Sequence, residues 1–205
     1  MAHIITLTGP AHCGKSTISK MFMGYKEEYF KPIFIQKYTT REARREEKDV
    51  KCEERIPEKC DLVYEQYGVR YGVELEELYK SLEVGETPII VINDIRAIED
   101  LKAVFGSLVF SVFIYRRPAV YDEFYAEEKA RASNDMPEAA IKKSARIRYE
   151  KAQAIYRIYI ENIQLFNKVI LNAYQTEHTS IQVKNIVRRL ARDFNGLYSE
   201  ENRND

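Results

Sequence analysis

Ile4-Ile5-Thr6-Leu7-Thr8-Gly9-Pro10-Ala11-His12-Cys13-Gly14-Lys15-Ser16-Thr17 is the stretch that decides the fold. The first five residues are an apolar, β-branched run of strand length, and Lys15 to Met23 can form a helix. Between them, Gly9 to Ser16 matches G-x-x-x-x-G-K-[ST], and the strand before it and helix after it give that match its weight. Gly9 and Gly14 permit backbone geometry closed to residues with a Cβ, so successive N–H groups can turn toward a phosphate. The helix N-terminus adds positive potential at the same point. Lys15 is placed to reach the β and γ oxygens of a triphosphate, and Ser16 to offer its hydroxyl to Mg²⁺. Gly9, Pro10, Ala11, His12, Cys13, Gly14, Lys15, Ser16 and Thr17 are therefore the expected ATP-binding residues. Cys13 reads as a small residue filling a tight loop rather than a redox switch. His12 reads as an exposed spacer.

Working outward, apolar runs at His3–Thr8, Ile33–Gln36, Pro88–Asn93, Leu108–Tyr115 and Lys168–Asn172 alternate with helical patterns. The helices are expected over Lys15–Tyr25, Leu75–Val84, Ala97–Phe105, Val120–Ala132, Pro137–Phe166 and Ser180–Phe194. Such alternation predicts an α/β fold, a parallel sheet covered on both faces with ligands at the carboxyl ends of its strands. Residues 38 to 70 are polar and rich in turn formers, with a β-prone piece at Leu62–Tyr67, and read as an insertion beside the sheet. The tail, Ser199 to Asp205, is polar and expected to fray.

The 205 residues carry 32 Lys plus Arg against 32 Asp plus Glu, so any anion site must be local and no nucleic-acid partner is expected. With 45% apolar and 31% charged residues the composition is that of an ordinary globular protein, and one domain over 1–205 is expected. No apolar run approaches the roughly 20 residues that span a bilayer. The apolar start lacks the basic segment of a secretory signal, so the expectation is a cytoplasmic protein, monomer or homodimer, without a membrane partner. Cys13, Cys52 and Cys60 suggest neither a disulfide framework nor zinc ligation.

A second cluster, Tyr38-Thr39-Thr40-Arg41-Glu42-Ala43-Arg44-Arg45, sets two arginines three residues apart behind hydroxyl residues, a pattern able to clamp a phosphate. With the loop and later segments it resembles the guanylate kinase family, which carries T-T-R-x-x-R here, matched by Thr39, Thr40, Arg41 and Arg44. The resemblance continues through Tyr71-Gly72, a strand ending at Asp94, a lid arginine at Arg131, an R-x-x-x-A helix at Arg148 to Ala152 and a terminal strand Val169-Ile170-Leu171-Asn172. It implies a P-loop kinase three-layer sandwich with a central parallel sheet, an inserted acceptor-binding subdomain over about 37–85 and a helical lid over about 128–148. It also implies ATP as donor with Mg²⁺, a small phosphorylated acceptor held by Lys37, Arg41, Arg44, Tyr71 and Asp94, and transfer assisted by Lys15, Arg41, Arg131 and Arg148. Asn172 would lie near the adenine.

The departures concern the acceptor. Lys37 stands where the family has a serine, Val50 where it has a tyrosine, Val73 where it has serine or threonine, and the guanine-reading glutamate falls near Asp61 or Leu62. These losses resemble the ribose 1,5-bisphosphate phosphokinases, which share Tyr38 to Ala43, Tyr71-Gly72-Val73 and Val91-Ile92-Asn93 followed by Arg96-Ala97. Guanylate, another or deoxy nucleoside monophosphate, and a phosphosugar all stay open. Arg146 is a further lid candidate, and Tyr64 and Tyr67 are either base-stacking or core residues.

Overall fold

The computed structural model describes residues 2–10, 13–25, 27–42, 50–66, 68–118, 120–133, 135–173 and 175–201, without the side chains of Arg131 and 193–201. Ala11, His12, Arg44, Tyr67 and the Arg131 side chain therefore lie outside the described residues. In chain order the elements are β1 (Ile4–Thr8), α1 (Lys15–Gly24), β2 (Pro32–Phe34), β3 (Lys37–Thr39), β4 (Val50–Cys52), β5 (Leu62–Gln66), β6 (Val69–Val73), α2 (Leu75–Glu83), β7 (Thr87–Val91), α3 (Ile95–Phe105), β8 (Val109–Tyr115), α4 (Tyr121–Arg131), α5 (Glu138–Glu161), β9 (Lys168–Leu171) and α6 (Thr176–Glu201).

Five strands form a sheet in the order β2-β7-β1-β8-β9, every pairing parallel. Side chains alternate across a strand, so each run of β-branched and aromatic residues feeds two cores at once. Ile4, Ile90, Ile92, Val109 and Phe113 face one way and pack with Leu78, Ile98, Leu101, Tyr156 and Tyr159 from α2, α3 and α5. Ile5, Leu7, Ile89, Val91, Phe110, Val112 and Ile114 face the other way, onto Ile18 and Phe22 of α1 and Val183, Ile186, Val187 and Leu190 of α6. The result is three layers, helix on sheet on helix. Fully burying each such side chain stabilises by about 1.5–3 kcal/mol, which is why apolar residues dominate the inner strands, with Thr6, Thr8, Thr87 and Ser111 as buried polar members.

The chain leaves β1 toward β2 and returns through β7, which inserts between them, whereas β8 and β9 add on the opposite side of β1. Strand order thus reverses at β1, and the crevice at its carboxyl end is where such sheets bind ligands.

Between β2 and β7 stands the expected insertion: a second sheet in the order β4-β3-β6-β5, with β3 antiparallel to β6, β6 antiparallel to β5, and β4 parallel to β3. α4 and α5 pair over a small core of their own, Phe124, Ala145 and Ala152.

Two boundaries differ from the pattern. The long helix expected over Pro137–Phe166 ends at Glu161, because the Asn162 side chain turns back to donate to the Ile158 carbonyl at 2.8 Å and a single 3₁₀ turn follows. The last helix starts earlier than Ser180, at Thr176, and continues to Glu201, into the tail expected to fray. No helix among the described residues is long and apolar enough to cross a membrane.

Candidate functional site

The loop after β1 is shaped by close approaches that only glycine tolerates. A Cβ on Gly9 would stand 2.5 Å from Cys13 Sγ and 2.8 Å from the Ile114 carbonyl oxygen. Gly14 has φ +96°, and a Cβ there would stand 2.3 Å from Asn172 Nδ2. Gly14 is also the N-cap of α1, and it leaves the helix entrance without a side-chain cap or a first-turn carboxylate. The first-turn N–H groups of a helix have no intrahelical acceptor, and here the free end of the dipole coincides with the loop. Ser16 and Thr17 sit exposed on that turn, and Lys15 is half-buried.

Lys15 curls back over the loop, its ammonium donating to the Gly9 and Pro10 carbonyls at 2.7 Å each. Cys13 is buried beneath, 1% exposed, and burial pushes its thiol above the ordinary value despite the nearby charge of Lys15. A protonated, enclosed thiol is a packing residue, as the loop pattern implied.

Two asparagines brace the loop at its two glycines. Asn93, just past β7, accepts from the Gly9 amide at 3.3 Å through its side-chain oxygen. Asn172, just past β9, donates to the Cys13 carbonyl at 2.9 Å. The backbone of Asn93 gathers more: its carbonyl takes Tyr159 of α5 at 2.6 Å and Gln66 of β5 at 3.0 Å. The insertion, the long helix and the loop thus meet at one residue. The sequence gives Asn93 and Gln66 no evident role, and the one available signal was a polar residue closing an apolar strand.

The insertion turns Lys37 and Tyr71 toward that meeting point. Lys37 is buried, 6% exposed, and its ammonium donates to the Val91 carbonyl at 2.5 Å, at the carboxyl end of β7. The same ammonium lies 5.4 Å from the centre of the Tyr71 ring, which stacks at 5.4 Å on Tyr64. A buried ammonium needs such partners, since an unpaired charge in the interior is prohibitively costly. Tyr64 is thereby a packed residue of the insertion. Tyr38, Lys59 and Glu74 tie the insertion's far side, with Lys59 2.8 Å from Glu74 and over the Tyr38 ring at 5.1 Å.

Arg41, two residues past β3, is half-buried and donates to the Glu42 carbonyl at 3.0 Å. Asp94 caps α3, accepting from the Ala97 amide at 2.8 Å, so one carboxylate oxygen has a structural task. Asp61 does likewise for α2, accepting from the Leu75 amide at 3.2 Å, while Leu62 and Val73 are buried in the core.

Arg148 pairs with Glu128 and, at 3.6 Å, Glu127, both on α4, and lies over the Phe124 ring at 5.8 Å. Glu128 also accepts from Ser144 at 2.6 Å, so one carboxylate joins the two helices. Arg146 is exposed and pairs at 3.6 Å with Glu150 one turn on. Arg116, at the mouth of β8, acts electrostatically on Cys13, which puts a cation near the loop that sequence reading did not single out. Its carbonyl accepts from Tyr156.

No protein-family model matches the chain. No curated protein matches it. In structure it is similar to guanylate kinase from Anaplasma phagocytophilum, with a TM-score of 0.54 and 22% sequence identity over 92% of this chain and 85% of that one. At that identity the likeness is one of architecture: this chain has the mixed α/β, P-loop fold of that guanylate kinase.

Proposed function

We propose that this chain is an ATP-dependent phosphotransferase whose acceptor is a small phosphorylated molecule, a nucleoside monophosphate in the first instance. The observation carrying this reading is the uncapped loop at Gly9–Ser16, joined through Asn93 to an inserted sheet that aims Lys37 at the same end of the parallel sheet. A donor site and an acceptor site at one crevice are what transfer between two phosphates requires.

In this reading Lys15 leaves the Gly9 and Pro10 carbonyls for the β and γ oxygens of ATP, and the loop amides hold the rest. Among the described residues no group of three or more His, Cys, Asp or Glu side chains could hold a metal. Magnesium would come with the nucleotide, with the exposed Ser16 hydroxyl as a protein ligand, and would supply charge neutralisation at the β and γ oxygens. Arg41, Arg44, Lys37 and Tyr71 hold and orient the acceptor phosphate. One of its oxygens attacks the γ-phosphorus, and the bond from that phosphorus to the β–γ bridging oxygen breaks, releasing ADP. Arg148 serves the transferring group only after exchanging Glu128 for it, with Arg131 beside it, so α4 and α5 act as a lid. Asp94, already a cap, keeps its second oxygen for the acceptor.

A coupled ADP-release assay across GMP, dGMP, the other nucleoside monophosphates and ribose 1,5-bisphosphate tests the reading. Turnover is expected with at least one monophosphate. Turnover with ribose 1,5-bisphosphate alone makes the protein a phosphosugar kinase. ADP release without acceptor makes it a nucleotide-hydrolysing switch, and no turnover with any acceptor makes it a binding module.

A further inference from the structure

Asn172 is expected, from family resemblance, to lie near the adenine. Its surroundings describe another task. The Nδ2 group donates to the Cys13 carbonyl at 2.9 Å and occupies the space a Gly14 Cβ would need. The Oδ1 atom lies 3.4 Å from the hydroxyl of Thr179, which is 1% exposed. Its backbone amide extends the β8–β9 pairing by donating to the Tyr115 carbonyl at 2.8 Å. The amide nitrogen and the main chain behind it are thus engaged with protein, and the oxygen shares the Thr179 hydroxyl with the Gln175 carbonyl, 3.2 Å away.

We infer that Asn172 is a positioning residue for the phosphate loop: its side chain braces the Cys13–Gly14 peptide, keeping the following amides turned into the crevice. The peptide between Cys13 and Gly14 has one soft degree of freedom, rotation about its flanking bonds, and Gly14 at φ +96° allows it more rotation than any other residue would. A donor fixed on the Cys13 oxygen removes that freedom before a phosphate binds, which is how a rigid scaffold raises affinity without touching ligand. Glycine at position 14 has a second reason here beyond its torsion, because the brace needs the room. The nucleotide arm of the inference rests on the proposed ATP site; the brace itself does not.

The test separates the two. In a Cys52→Ser, Cys60→Ser background the only thiol is Cys13, buried and slow to react with 5,5′-dithiobis(2-nitrobenzoate). Asn172→Ala should speed that reaction about tenfold or more by freeing the loop, and should raise the KM for ATP and for GTP by a similar common factor with their ratio unchanged. Asn172→Asp should speed the reaction at least as much, since an oxygen would then face the Cys13 carbonyl. Thr179→Val, which keeps the amide but removes its neighbour, should act in the same direction more weakly, and serves if the other variants fail to fold. Gln182→Ala removes two hydrogen bonds at 2.9 Å to Leu171 on the same strand and should leave the thiol rate unchanged. An unchanged thiol rate in the Asn172 variants overturns the inference, whether or not base preference moves. An equal rise in Gln182→Ala also overturns it, because general loosening of β9 would then suffice. If the unmodified protein binds neither nucleotide, the proposed ATP site fails, and the brace is judged on the thiol rate alone.

Discussion

The loop at Gly9–Ser16 and the inserted sheet that carries Lys37, Arg41 and Tyr71 face the same crevice with opposite materials. The loop grows from β1, whose Ile4, Ile5 and Leu7 have no exposure at all, and its shape is backbone: two glycines, a helix entrance and carbonyls within reach of Lys15. The inserted sheet has strands of three to five residues, partly exposed, and holds itself with long charged side chains laid on rings, Lys37 on Tyr71 and Lys59 on Tyr38. A backbone site depends on few side chains but tolerates no Cβ at its tight points. A site of long side chains accepts many sequences, and its chemistry follows from which chains happen to meet. The difference accounts for a loop that matches a short motif beside an inserted sheet that matches the guanylate kinase pattern only in part.

Three substitutions and one control break or sharpen that contrast. Lys15→Ala has the largest expected effect: it removes the one charge the loop places on the β and γ oxygens and should lower kcat/KM by about a thousandfold or more. Turnover close to that of the unmodified protein in the coupled assay would overturn the role proposed for the loop. Gly9→Ala comes next, now read as stability. The added methyl meets Cys13 Sγ and the Ile114 carbonyl, and should cost about 1–3 kcal/mol in urea unfolding. Gly24→Ala, with nothing within 4 Å of the new carbon, should stay within about 0.5 kcal/mol. Equal costs at the two glycines would mean that the close approach at Gly9 is not what holds the loop. The smallest is Lys37→Met, which preserves length and removes the ammonium at Val91 and Tyr71. It should raise the acceptor KM by roughly tenfold and leave the KM for ATP in place. A shift confined to ATP would erase the separation between the halves.

Much of the architecture was legible in advance. The five apolar runs predicted as strands overlap the five strands of the parallel sheet, because strands of such a sheet are rich in β-branched and aromatic residues. The insertion was visible as a change in composition, but its four-strand order was not, since three-residue strands such as Val50–Cys52 carry no period to read. At the site, the loop residues Gly9, Pro10, Cys13, Gly14 and Lys15 come together as the motif requires. Arg148 was expected to assist transfer; its pairing with Glu127 and Glu128 could not be read in advance, because it depends on how α4 lies against α5. Asp94 was open between metal and acceptor, and its nearest task proves to be capping α3. Asn93 was quoted only within a family match and given no role, although three parts of the molecule converge on it.

The sequence by itself determined the three-layer α/β fold and the phosphate loop, because both are written in local terms: a period of two against one of 3.6, and glycines at set offsets before a lysine. Only the tertiary structure decided what braces the loop, where Lys37 points and which carboxylates hold Arg148. Those depend on contacts between residues up to 159 positions apart, as Cys13 and Asn172 are. No local pattern encodes such a meeting, because it is the packing of the sheet and its helices that brings the two ends to one place.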